Sequence, residues 1–172
     1  LKENILLILS VLCLLIAVIL LVVLAIIDFK TFLLPNIYVF PFALLGVCFH
    51  FLTDFYYLSP QGMIIGGVAG YALLWTIRFF GNKYYNQDSL GLGDVKLLGA
   101  AGLWLGFDGV LFAMTLGAFA GLIHGFLYAL IKKVSLKRLQ IPAGPGFVIG
   151  ILGVGAWMYQ GFLIQSFYDL IP

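Results

Sequence analysis

Charge is what this chain lacks most. Only 9% of its 172 residues are Asp, Glu, Lys or Arg, where a soluble domain carries about 25%. With 63% hydrophobic residues and a mean hydropathy of +1.15, little is left for a water-facing shell. That excludes an ordinary soluble globular domain and points to an all-α, polytopic membrane protein. The net charge of +2 says nothing alone, and no nucleic-acid partner is expected. Cysteine is scarce as well. Cys13 and Cys48 each lie inside an apolar run without a nearby thiol at metal-ligand spacing, and both read as core or lipid-facing side chains. His50 and His124 belong to no HExxH pattern and are expected to be structural. None of Ser10, Ser59, Ser89, Ser135 or Ser166 stands in a GxSxG context. The GxG at Gly91–Gly93 has no βαβ unit around it, which removes a dinucleotide site. Neither a metal nor a bound cofactor is therefore expected.

What is present is a series of apolar segments. The first runs from about Asn4 to Ile27, too long for the apolar region of a signal peptide and without a clear small-residue cleavage site. At about 1.5 Å per residue it crosses a hydrocarbon core of about 30 Å. Segment two is expected from about Asn36 to Leu52, after Pro35, whose ring favours a new helix start. An aromatic, interfacial loop, Thr53 to Pro60, follows. Segment three is expected from about Gln61 to Phe80, and its Gly62, Gly66, Gly67 and Gly70 suggest close helix packing. The longest polar stretch, Gly81 to Ser89, comes next. Segment four, about Val95 to Phe107, rises only about 20 Å, so its N-terminus must begin below the near membrane surface. Segments five and six are expected from about Val110 to Ile131 and about Pro142 to Phe162. About six crossings in one transmembrane domain, residues 1–172, fit this pattern.

Charge placement agrees with that count. Alternating crossings put Lys30, Arg78, Lys83, Lys96, Lys132, Lys133, Lys137 and Arg138 on one side. Lys2, Glu3, Asp54, Asp108 and Asp169 fall on the other. By the positive-inside rule the first side is cytoplasmic. Asp28, Asp88 and Asp94 share it, with Asp28 ending segment one and Asp94 starting segment four.

Ionisable groups entering the hydrocarbon region cost a few kcal/mol or more and are read as functional by default. Asp94 follows Gly91 and Gly93, which permit unusual backbone angles and the close approach of another chain. A plainer reading has Asp94 capping the helix that follows. Asp28 taken alone could pair with Lys30. Lys96 either snorkels to the interface or tunes Asp94. Two carboxyls held close cannot both ionise cheaply, so one is charged while the other keeps a proton. That pair can activate water and protonate a leaving amine without metal or nucleophile.

These residues resemble a known family. Asp28, the run Leu34-Pro35-Asn36, Asp88, and Gly91-Leu92-Gly93-Asp94-Val95-Lys96-Leu97 look like the type IV prepilin peptidases, which are GxGD aspartic proteases of the bacterial inner membrane. The later Ile141-Pro142-Ala143-Gly144-Pro145 is similar to that family's Pro-Phe-Gly-Pro stretch, with Ala143 in place of Phe. The resemblance implies cleavage of the basic leader of prepilins or pseudopilins at the cytoplasmic face, with Asp28 and Asp94 as the catalytic pair. It implies that Gly91, Gly93, Lys96, Pro35 and Asn36 line the substrate, with Asp88 meeting the basic leader. Many members carry paired CxxC motifs and also methylate the new N-terminus. No CxxC occurs here, so methyltransferase activity is not predicted from these residues, and the chain looks like the peptidase core, a short member or a piece of a longer one. Two other readings stay open: a transporter using the aspartates as a cation or proton site, and an inactive member serving pilus or competence assembly. The first would call for internal repeats, and none is evident.

Overall fold

The structure, a computed structural model, describes residues 2–86, 88, 90–133 and 142–170. Five helical runs make up this part of the chain: α1 (Lys2–Thr31), α2 (Asn36–Leu52), α3 (Pro60–Tyr85), α4 (Leu92–Lys132) and α5 (Gly144–Leu170). No strand occurs among the described residues. By length and composition α1, α3, α4 and α5 can each cross a membrane, and α2 is a shorter apolar helix. The all-helical, multi-pass architecture expected from composition is the one observed. Leu122, Ile123, Phe126, Leu127, Leu130 and Ile131 near the end of α4 are all exposed, as suits a helix surrounded by lipid rather than water.

Local chemistry sets the ends. α1 stops where Phe32 turns left-handed at φ 56°, its N–H reaching the Asp28 carbonyl at 2.8 Å. Pro35 is extended and caps α2, which begins and ends where the sequence suggests. Ser59 caps α3, its hydroxyl accepting the Gly62 N–H at 3.1 Å, with Pro60 in the first helical position. Three boundaries differ from expectation. α1 continues past Ile27 and carries Asp28 within the helix. α3 continues past Phe80 through Lys83 to Tyr85, because the helical ladder outlasts the apolar pattern until Asn86 turns left-handed at φ 52°. α5 runs to Leu170 rather than to Phe162.

The largest correction concerns segments four and five. The expected loop at Asp108–Gly109 is absent, and α4 is one run of 41 residues broken only at Gly106, with φ 70° and ψ −171°. The break reverses the chain. A Cβ on Gly70 would lie 2.9 Å from the Leu98 carbonyl carbon and 3.0 Å from Val110 Cγ2, yet a straight helix would hold those two residues about 18 Å apart. Residues 92–105 thus form a first arm against α3, and residues 107–132 a second arm against α5. Asp108 falls in the first turn of the second arm, where an acid suits the helix dipole. A side chain at position 106 would meet both the positive φ and the Leu58 methyl 2.7 Å away.

Glycines let the arms dock at backbone distance. A Cβ on Gly102 would lie 2.7 Å from the Gly67 nitrogen, and one on Gly66 2.6 Å from the Gly106 Cα. On the second arm, a Cβ on Gly117 would lie 2.8 Å from the Phe147 Cα, and one on Gly146 2.6 Å from the Gly117 carbonyl oxygen. Lipid tails are as apolar as the side chains, so association rests on contacts of this kind rather than on water exclusion. The close packing expected of Gly66, Gly67 and Gly70 is observed, while Gly62 faces the nearby Leu58.

The break interrupts the helical ladder, and the Trp104 carbonyl next to it takes side-chain donors instead. The Tyr159 hydroxyl donates to it, and His50 Nε2 stands 3.2 Å away. Trp104 Nε1 in turn donates to the Phe42 carbonyl at 2.8 Å. Phe49 packs edge-on against Tyr159 at 5.0 Å and stacks on Trp104 at 5.5 Å. His50 is fully buried in this cluster, the structural place its sequence context suggests.

Overpacking a tight helix contact costs about 1–3 kcal/mol. Gly66→Val should therefore lower the thermal midpoint of the detergent-solubilised chain markedly. Gly153→Ala, at a position where a Cβ meets nothing within 4 Å, should leave it unchanged or raise it.

Candidate active site

Of the acids with described side chains, only Asp28 and Asp94 are buried, at 4% and 5% exposure. Asp28 sits in the last turn of α1. Its Oδ2 accepts the Gly144 N–H at 2.9 Å, at the first residue of α5, so the positive end of that helix faces the carboxylate. A Cβ on Gly144 would lie 2.7 Å from the same oxygen, so the contact needs glycine there.

Asp94 is the third residue of α4. Its carboxylate takes the Gly91 backbone N–H, as an acid at that helical position does in a capping box. The capping reading of Asp94 is thus part of what is observed. It accounts for one oxygen only: Oδ1 is buried and accepts no hydrogen bond from any described residue. The charge of Asp28 acts on Asp94 across the gap between the two helices. Two acids from distant parts of the chain are therefore buried near enough for the charge of one to act on the other, each held by the backbone of a helix start.

The other candidate residues lie at or just before the starts of α2 and α4. Gly93 packs against the α1–α2 connection, where a Cβ would lie 2.7 Å from Leu34 Cβ. A Cβ on Gly91 would lie 2.8 Å from Asp94 Oδ2. Lys96 Nζ donates to Asn36 Oδ1 at 3.1 Å and ties the start of α4 to the start of α2, beside Pro35. Asp88 has partners within the chain: its Oδ1 accepts from Arg78 Nη2 at 3.0 Å and from Asn82 Nδ2 at 2.9 Å, while 79% of the side chain stays exposed. Lys137, Arg138, Ser89, Ser135 and Ile141 lie outside the described residues.

Sequence reasoning missed two participants. Gly144 supplies the donor to Asp28, and nothing in a Pro-Ala-Gly-Pro run announces a carboxylate partner. Arg78 read only as a topology signal. Besides its bond to Asp88, its Nη1 donates to the Leu90 carbonyl, and its charge reaches Asp94. An apolar cavity of about 290 Å³ lies away from the acids, among Leu21, Phe42, Trp104, Leu105, Ile151 and Tyr159.

The acids are recessed. His124 on the second arm packs against Phe29, next to Asp28, with ring centroids 5.9 Å apart. Lys132 ends that arm eight residues later, about 12 Å along the axis. Asp28 thus stands about 12 Å short of Lys132 along the second arm.

Residues 6–126 match the model of the Type IV leader peptidase family. The prepilin leader peptidase/N-methyltransferase of Dickeya chrysanthemi is 32% identical over 139 residues, which cover 77% of this chain and 48% of that protein. The protein of the same description from Pectobacterium carotovorum subsp. carotovorum is 31% identical over 142 residues, 83% of this chain and 49% of the relative. That from Escherichia coli (strain K12) is 29% identical over 138 residues, 78% of this chain and 60% of the relative. The chain spans about half the length of the first two of these relatives. No solved structure matches it significantly.

A carboxylate kept only as a helix cap should stabilise the fold, and one buried for another purpose should not. Asp94→Asn keeps an acceptor for the Gly91 N–H and removes the buried charge. It should hold or raise the thermal midpoint; a clear fall would mark Asp94 as a structural cap.

Proposed function

This chain is a member of the type IV leader peptidase family, and from that footing we propose that residues 1–172 form a transmembrane aspartic endopeptidase that cleaves prepilin or pseudopilin leaders. Asp28 and Asp94 are its catalytic pair. The observation that carries the reading is their joint burial, each carboxylate on the N–H of a helix start, with Asp94 in the field of Asp28.

In the reaction, one carboxyl is charged and the other keeps a proton. The charged one takes a proton from a water, whose oxygen bonds to the scissile carbonyl carbon. The neutral one donates a hydrogen bond to the carbonyl oxygen. As the C–N bond breaks, a carboxylic acid proton passes to the leaving amine. The two acids titrate as one coupled unit, so neither is assigned the base role. Asp94 Oδ1, buried without a partner, is the oxygen best placed to meet water or substrate.

Gly91, Gly93, Pro35, Asn36 and Lys96 shape the wall beside the pair, and Asp88 offers an exposed carboxylate to the basic leader. The Lys- and Arg-bearing end faces the cytoplasm, in the inner membrane of a bacterium, by the positive-inside rule. Substrates arrive from the lipid by their hydrophobic helix. Methyl transfer, an activity named for the relatives, is not assigned to these residues.

The test uses the full chain in liposomes with a substrate carrying a basic leader, a glycine and a hydrophobic helix. Asp28→Asn and Asp94→Asn should each lower cleavage by about 10⁴-fold, and the double variant should be no worse than either, as for groups acting as a unit. Full cleavage by either single variant overturns the pair.

A further inference from the structure

The connection between α3 and α4 poses a problem that its own residues do not solve. Arg78 lies seven residues before the end of α3, about 10 Å along the axis. Leu90, at the far end of the connection, nevertheless stands beside Arg78. Asn86 turns left-handed at φ 52°, and the chain arrives at Leu90 beside Arg78 before Gly91 starts α4. A connection of this kind has no helical ladder to hold its carbonyls, and in or near lipid such groups need partners.

Arg78 supplies them. Its Nη1 donates to the Leu90 carbonyl, one residue before the cap of α4, and its Nη2 pairs with Asp88 at 3.0 Å. Asn82, one turn further along α3, holds the same Asp88 oxygen at 2.9 Å. The guanidinium is a planar fork, so gripping two acceptors also fixes its plane. With 19% of its side chain exposed, Arg78 is packed rather than waving in solvent. Four residues beyond Leu90 stands Asp94.

We propose that Arg78 is a positioning residue for Asp94: by clamping the Leu90 carbonyl and Asp88 to α3, it sets the depth and orientation of the Asp94 carboxyl. Arg78 touches no substrate in this account. The groups that face Asp94 are Asp28 from α1 and Arg78 from α3, while Lys96, on Asp94's own helix, is engaged with Asn36. Replacing Arg78 therefore removes both a clamp and the cation facing that carboxylate. The activity arm of the test rests on the peptidase reading, and the labelling arm does not.

The experiment compares Arg78→Gln and Arg78→Lys with the unaltered chain in liposomes, each preparation matched for elution volume and thermal midpoint. A group misplaced by about 1 Å can cost about 10²-fold. Arg78→Gln should lower kcat by about that factor with KM held within about twofold, the pattern of a lost transition-state interaction. Its pH profile of cleavage should be displaced from that of the unaltered chain. Arg78→Lys restores the charge and one prong of the grip, so it should recover the pH profile and only part of kcat. The second arm needs no activity. With Cys13 and Cys48 replaced by Ala and a cysteine placed by Leu92→Cys, a water-soluble maleimide should label the Arg78→Gln chain faster, because the start of α4 is no longer clamped. Unaltered kcat in Arg78→Gln, or a rise in KM with kcat intact, overturns the proposal, and so does an unchanged labelling rate. If the unaltered chain cleaves no such substrate, the peptidase reading fails, and the labelling rate alone decides the clamp.

Discussion

The Gly144 N–H that meets Asp28 joins the start of the last helix to the end of the first, and the bundle is arranged so that this bond can form. A carboxylate buried away from water is tolerated only with hydrogen-bond donors close by. Side-chain donors on these apolar helices are few, and the backbone offers free N–H groups only at helix starts. Both buried acids use that resource, Asp28 at the start of α5 and Asp94 at the start of α4. α5 therefore begins inside the protein at Gly144, while α4 begins at exposed Gly91 and Leu92 and turns Asp94 inward within its first turn. From this follow the burial of the acids and the need for glycine at positions 91 and 144.

These helices must still pack without help from water. The bundle does so by bringing backbones together where side chains are absent: Gly66 and Gly70 on Leu98 to Gly106, and Gly117 on Gly146 and Phe147. Contacts at this range leave no freedom to slide, so the positions of α3 and α5 fix the two arms of α4. The far-side cluster of His50, Tyr159 and Trp104 satisfies the carbonyl exposed where those arms meet. Aromatic rings around Phe49 then fill the space beside it. The two ends of the molecule thus differ: buried acids gather at one end, and the polar groups at the other hold the turn of α4.

The sequence was informative where a signal is local or compositional. Hydropathy found the apolar segments, Pro35 marked the start of α2, and the charges sorted Asp28 and Asp94 to one end. The membrane-spanning class and the family followed from those residues. Boundaries slipped where polarity and backbone geometry part company. Gly81, Asn82 and Lys83 look like loop residues and are helical, since a helix can leave the membrane without ending. Asp108–Gly109 looks like a turn, yet the reversal is at Gly106, a glycine among many in a glycine-rich stretch. Contacts between distant positions were illegible: the grip of Arg78 on Leu90, and the donor that Gly144 offers Asp28, leave no pattern along the chain.

The turn at Gly106 spends a single residue on reversing direction, and that has a consequence for how such a chain can vary. Ordinary connections absorb an added or deleted residue as slack. Here there is none, because each arm is seated on its neighbour right up to the glycine. Adding one residue between positions 94 and 106 would rotate everything before it by about 100°, swinging the carboxylate from the bundle interior toward the lipid. Side-chain chemistry in this stretch is free to drift within the limits of size, but its length is a fixed ruler.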